Sequence, residues 1–341
     1  MRVAVYKDNL STGRGADRAV RNFASGLAER GHDVALMEKA EFMAKVCGAK
    51  PSDGAGFDVI VATGSNEIAD LDAAGYFSRP QRAKVVLQLH LAPRGFFKWR
   101  HPLRNRRIRK AFDKADAVQV LCSSYAEEFR RMAPHPAVEV IGNYTEMDAL
   151  GFPLSAERHA RPVILYPAAA LNGVKNQKLL IEAFALVAAE FPEWKVRLLG
   201  KDTTPYAESC RRLLKAKGLE GRVEMVGFTD RLADEYAGAS FIAFPSTLEG
   251  FPLAILEAAR FSLAAVAQSD LPGVEDIVVS GETGIVTSPD PAAYAGGLRR
   301  MMADGSLRRS LGEKAKARAE ETYSRSKILD QWENLLGSVV K

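Results

Sequence analysis

Two carboxylates stand out in "STLEGFPLAILEAARFS", Ser246 to Ser262: Glu249 and Glu257, separated only by apolar residues, one Gly and one Pro. Carboxylates about 5 Å apart cleave glycosidic bonds in retaining hydrolases. A single carboxylate inside an apolar run is costly to bury. A partner offering two hydroxyls, such as a ribose, explains one there. The plainer reading pairs Glu257 with an arginine or uses it to cap a backbone group.

The elements around the pair decide between these. "FIAFP" reads as a buried strand ending at Pro245, which leaves Glu249 on the loop past its carboxyl end. Pro252 suits the first turn of a helix, "PLAILEAARF". The free N–H groups at that helix start, near Gly250, Phe251 and Leu253, suit a phosphate or a sugar hydroxyl. Glu257 then falls about one and a half turns in. That is too far along the helix to flank the same bond as Glu249, which weighs against hydrolysis.

Those elements belong to a repeating rhythm. "RVAVY", "HDVALM", "DVIVAT", "KVVLQLH" and "AVQVLC" read as strands, with amphipathic helices between them. The stretch "IGNYTEMDALGFPLSAERHARP" breaks the pattern. Strands then resume at "VILYPA", "KVRLLG", "RVEMVGF", "SFIAFPS", "AAVAQS" and "GIVT", and the tail from Pro291 is mostly helical. This predicts an α/β chain of two doubly wound, Rossmann-like parallel-sheet domains facing a cleft. Residues 1–155 form the first domain, 160–322 the second, and 323–341 a helix packing back toward the first.

Composition narrows the class. The chain has 341 residues, 47% hydrophobic and 26% charged, as expected of a packed soluble protein. No apolar run approaches the length of a membrane span, and "MRVAVYKDN" has no signal-peptide layout. Cys47, Cys122 and Cys210 have no metal spacing and fit a reducing cytoplasm. "DLD" at Asp70–Asp72 does not follow an apolar strand, so we read it as chance. Gly13 and Gly15 allow close approach to a ligand. A dinucleotide reading of that loop, with Glu38 on a ribose, lacks the third glycine, since Arg18 stands there.

"PSTLEGFPLAILEAARFS" resembles the signature of retaining glycosyltransferases of family 4, which have the GT-B fold. "ADRAVRNFASGLAERGHDVAL", "LQLHLAP", "IGNYTEMDALGF", "VKNQKLLIEAF", "GLEGRVEMVGFTD" and "DLPGVEDIVVSGETGIVTSPDP" resemble further stretches of that family in order, across nearly the whole chain. The resemblance implies a nucleotide-sugar donor. Glu257 would hold the ribose hydroxyls, Glu249 the transferred sugar, and Lys175 the diphosphate. Backbone at Gly250, Phe251 and Leu253 would meet the sugar and distal phosphate. Gly15, Gly200, Gly227 and Phe228 would complete the donor site, and His90 would act near the sugar or acceptor. Fixed donors and a cation stabilise the charge that grows on the leaving diphosphate. No metal or other cofactor is implied. Other readings are a nucleotide-sugar-binding protein without turnover, a hydrolase, and an epimerase on the same fold.

The sequence departs from that family in places. An arginine usual about five residues before the lysine is replaced near Ala170, and Arg14 or Arg18 is a possible substitute. "ARFSLAAV" lacks the usual Cys-Gly-x-Pro run, and "LLGKD" keeps Gly200 but not the second glycine.

The net charge of +5 sits in the first half, where residues 1–160 hold 24 Lys and Arg against 19 Asp and Glu. "RGFFKWRHPLRNRRIRK", Arg94 to Lys110, accounts for it: Lys98, Arg100, Arg104, Arg106 and Arg107 are interleaved with aromatics including Trp99, and no acid is present. Such a run suits an anionic membrane surface. A solvated basic helix is the plainer reading, and a nucleic-acid partner is not expected. The expectation is a cytoplasmic protein, peripheral on the membrane, with a glycan or lipid-linked acceptor for cell-surface polysaccharide or lipopolysaccharide assembly.

Overall fold

The computed structural model describes residues 1–10, 15–48, 56–93, 102–133, 135–147 and 162–341, with residues 102–104 and 107 as backbone only. The chain divides into two compact units. Unit 1 comprises Met1–Tyr144 and Ser324–Lys341, and unit 2 comprises Thr145–Tyr323.

Unit 1 holds six parallel strands: β1 (Arg2–Tyr6), β2 (Asp33–Met37), β3 (Val59–Ala62), β4 (Lys84–Gln88), β5 (Ala117–Val120) and β6 (Val138–Val140), in the order β2-β1-β3-β4-β5-β6. The inner strands are buried and mostly apolar because helices cover both faces of such a sheet. All four residues of "VIVA" in β3 and of "AVQV" in β5 are buried. Strand β6 is absent from the pattern read along the sequence. It is a three-residue edge strand with only Val138 buried, too short for alternation to show.

Helix Arg325–Val340 belongs to unit 1. Trp332 lies against Phe23 with ring centroids 4.4 Å apart. Arg30 holds Asp330 and Glu333, each at 2.6 Å, and His32 Nε2 lies 2.9 Å from Glu333. A Cβ on Gly26 would come within 2.9 Å of Leu329. A glycine there lets helix Gly15–Glu29 and the C-terminal helix approach closely.

Unit 2 repeats the architecture with β7 (Val163–Tyr166), β8 (Lys195–Leu199), β9 (Val223–Gly227), β10 (Phe241–Phe244), β11 (Ala265–Gln268) and β12 (Gly284–Thr287), all parallel. The order β12-β11-β10-β7-β8-β9 reverses direction between β7 and β10. Loops leaving the carboxyl ends of those two strands diverge to opposite sides, which opens a ligand crevice at that point. Local signals set the helix boundaries. Thr204 accepts from Ala207 N at 3.0 Å to start helix Pro205–Lys217, and Gly218, at φ +65°, ends it in the left-handed region.

Candidate active site

The reversal point of unit 2 gathers the charged residues singled out in the sequence. Lys175 lies on the loop after β7, and Glu249 on the loop after β10. Their side chains meet, Lys175 Nζ to Glu249 Oε1, at 2.5 Å, and are 20% and 13% exposed. Lys175 is therefore not an ordinary solvated lysine before a helix.

The two loops are tied below the pair. Thr247 N donates to Val174 O at 2.8 Å. The hydroxyl of Tyr166, the last residue of β7, donates to Lys175 O at 2.7 Å. That uses its one proton, so Ser246 Oγ, 2.8 Å away, donates to it. Burial, and then the Glu249 charge, push the Tyr166 hydroxyl well above its usual pKa, so it stays a donor. Gln268, the last residue of β11, donates to Ser246 O at 2.6 Å. Tyr166, Ser246 and Gln268 are all buried. Sequence reading missed this network. Its only sequence signal is a polar residue closing, or just following, each of three apolar strands.

Glu257 is 3% exposed in helix Leu253–Arg260. It accepts from the buried Tyr236 hydroxyl at 3.0 Å. The buried carboxylate thus has a tyrosine partner, which neither the arginine nor the backbone-cap alternative anticipated.

The helix start needs a correction. Leu253 N donates to Phe251 O at 2.8 Å, closing a tight turn at Pro252 (φ −76°, ψ 67°). Leu253 therefore has no free N–H to offer. The N–H groups of Gly250 and Phe251 have no protein partner among the described residues. The Phe251 ring packs edge-on against Tyr323, centroids 5.5 Å apart.

Gly200 stands at a close approach of two chain segments. It sits at φ +115°, and a Cβ would lie 2.4 Å from Ala168 O. Its N–H is committed to Gly227 O at 2.8 Å, and the glycine permits a close chain crossing. Beside it, Ala170 bridges Lys201 in parallel register. Gly227 adopts φ +81° and turns the chain so that the next residue, Phe228, is 83% exposed.

In unit 1, His90 follows β4. Both ring nitrogens are shut off from solvent and have no hydrogen-bond partner among the described residues. The plainer reading expected a hydrogen-bonded core histidine, and the described residues supply no such bond. Burial, reinforced by the Lys7 charge and only partly opposed by Asp17, pulls its pKa down to about 3, so the ring is neutral. Gly15 lies within helix Gly15–Glu29 rather than in a loop. Glu38, the ribose ligand of the dinucleotide reading, accepts from Leu10 N at 2.7 Å. Asp70 accepts from Tyr6, and Asp72 pairs with Lys114.

Arg14, Lys98, Trp99 and Arg100 lie outside the described residues. Arg104, Arg106 and Arg107 lie on helix Pro102–Phe112, where Arg106 is exposed while Ile108 and Phe112 are buried. Among the described residues no helix is long and apolar enough to cross a membrane, and no group of three or more His, Cys, Asp or Glu could hold a metal ion.

Two doubly wound units of this kind make up the GT-B architecture. The Anabaena protein HepE, solved in complex with UDP, superposes with a TM-score of 0.81 at 19% identity, covering 99% of this chain and 100% of that one. Residues 154–318 match the family model described as glycosyl transferases group 1. Among its relatives, an exopolysaccharide phosphotransferase of Streptomyces coelicolor is 35% identical over 47% of this chain and 17% of its own length. A Campylobacter jejuni N-acetylgalactosaminyltransferase acting on a diphospho-undecaprenol acceptor is 27% identical over 58% of this chain and 53% of its own. The chain thus spans about half or less of the length of these two relatives.

Proposed function

We propose that the protein transfers a sugar from a nucleotide-sugar to an acceptor hydroxyl, with retention of anomeric configuration, in assembly of a cell-surface glycan. The observation carrying this is the Lys175–Glu249 pair at the reversal point of unit 2, next to the open N–H groups of Gly250 and Phe251. Lys175 and those N–H groups face the charge of the departing diphosphate, and Glu249 the transferred sugar. Glu257 holds the ribose diol. His90, whose two ring nitrogens have no partner among the described residues, meets a hydroxyl of the sugar or acceptor.

In the reaction the bond from the anomeric carbon to the phosphate oxygen breaks. A bond from that carbon to the acceptor oxygen forms on the same face. The acceptor proton passes to the departing phosphate oxygen, with no enzyme nucleophile and no metal. UDP-sugars are the first donors to supply, since UDP is bound in the HepE structure. The test is incubation of donor and acceptor with chelator, read by the anomeric NMR signal of the product. An inverted product rejects the mechanism, and strict dependence on a divalent ion rejects metal-free chemistry. Donor binding without turnover on any acceptor would leave a nucleotide-sugar-binding protein.

The reading extends to a lipid-linked acceptor met by a peripheral protein. The basic segment Arg94–Lys110 supports it, as does the undecaprenol-linked substrate named for the Campylobacter relative. Anionic vesicles should retain the protein at low salt and release it as salt rises. Equal behaviour with neutral vesicles, or undiminished binding after reversing Arg104, Arg106 and Arg107 to Glu, points to an acceptor free in solution.

A further inference from the structure

We infer that Lys201 is a phosphate-binding cation of the donor site, a role that rests on the nucleotide-sugar reading and adds a residue to it. The argument begins with charge. A diphosphate brings at least two negative charges, while the Lys175 charge is already matched by Glu249 at 2.5 Å. A further cation is needed beside the same loops.

The loops after the carboxyl ends of β7 to β12 offer three cations: Lys175, Lys201 and Arg231. Arg231 is held by Asp234 at 2.8 Å and follows β9, the edge strand. Lys201 is exposed, and its ammonium has no hydrogen bond or ion pair among the described residues.

The backbone fixes where Lys201 begins. Strand β8 neighbours β7, so their carboxyl ends lie about 4.8 Å apart. Past the strand ends the pairing continues: Lys201 N donates to Ala169 O at 3.0 Å, and Leu171 N donates to Lys201 O at 2.9 Å. These bonds bind Lys201 directly to the segment that leads to Lys175. Gly200 permits the approach, because any Cβ there would strike Ala168 O. The neighbour across the bridge, Ala170, has only a methyl group, which leaves room for a long flexible side chain. Lys201 thus starts one strand from Lys175 and carries an unmatched charge.

The test is calorimetric titration of UDP, GDP and ADP, each beside its nucleoside, into the wild-type protein and the Lys201→Ala, Lys201→Arg and Lys201→Glu variants. The side chain is exposed, so the variants should melt like the wild type. The expected result is diphosphate binding weakened about tenfold in Lys201→Ala, more in Lys201→Glu and least in Lys201→Arg, with nucleoside binding unchanged. Diphosphate binding within twofold of wild type in Lys201→Ala overturns the assignment and leaves the nucleotide-sugar reading standing. Equal weakening of nucleoside and diphosphate also overturns it, because the effect then does not come from phosphate. A wild-type protein that binds none of the three diphosphates overturns both.

Discussion

The carboxyl edges of the two sheets are built on opposite terms. In unit 2 the two carboxylates and the lysine singled out from the sequence have partners, Lys175 with Glu249 and Glu257 with Tyr236, and of the cations at that edge Lys201 alone is left open among the described residues. Buried tyrosine, serine and glutamine hold the loops in register. In unit 1 the corresponding residue, His90, has buried ring nitrogens with no hydrogen-bond partner among the described residues. Leaving buried polar atoms unmatched costs free energy. On the proposed reading a hydroxyl of the sugar or acceptor supplies the missing bond. The matched edge suits a ligand whose charge is known in advance, such as a diphosphate. The unmatched edge suits a hydroxyl that arrives with the substrate.

The strongest test of the matched edge is Glu249→Ala. It should lower turnover roughly a hundredfold or more, as removal of a group acting on the transition state does. Nucleoside diphosphate binding should hold or tighten, because Lys175 is released from its partner. Steady-state rates set against calorimetry decide this. Weaker binding with normal turnover would reverse the roles given to the pair.

Next in size is Glu257→Ala. Loss of a hydrogen-bonded charged group should cost donor binding on the order of 1.5–3 kcal/mol, or roughly ten- to a hundredfold. Titration with the nucleoside diphosphate alone should show it. Unchanged affinity in a folded variant would confine Glu257 to supporting Tyr236.

A smaller effect is expected from Tyr166→Phe. The ring remains to pack against Phe244, but the bonds to Lys175 O and Ser246 Oγ are lost. The cost in stability should be about 1–3 kcal/mol by urea unfolding, since buried acceptors are left unmatched. Turnover should fall by more than donor affinity, because the Lys175 loop loses its anchor. Equal losses in both would make the network purely structural.

These partners show where a sequence stops being legible. The strands could be read because covered parallel sheets need unbroken apolar runs, and "FIAF" or "VIVA" admits little else. Positions of Lys175 and Glu249 could be read because each follows such a run. Their pairing could not, since 74 residues separate them and strand order alone makes their loops neighbours. Tyr236 as the partner of Glu257 was hidden likewise, by two helices whose packing is not encoded in either one. Leu253 was misjudged for a local reason: Pro252 folds its N–H back onto Phe251 O, a turn that helix-start rules do not register. The aromatic half of the basic run lies outside the described residues, so its expected membrane role gains no geometry.

The smallest effect tests the unmatched edge through pH. His90 has a pKa of about 3 in the folded chain, against an ordinary value of 6.5. Between those values the unfolded chain binds a proton at His90 and the folded chain does not. Folding stability therefore falls as pH drops below 6.5, by at most roughly 1.4 kcal/mol per pH unit from this one group. Above 6.5 the contribution is complete and flat. Replacing His90 by Phe removes the titration while keeping an aromatic side chain. The variant should lose less melting temperature than the wild type between pH 6.5 and 4.5, and the other four histidines cancel in the difference. An acceptor or donor sugar that bonds a ring nitrogen should protect the wild type more than His90→Phe. Parallel melting curves for the two proteins would mean that His90 is hydrated in solution, and the contrast between the two edges would then disappear.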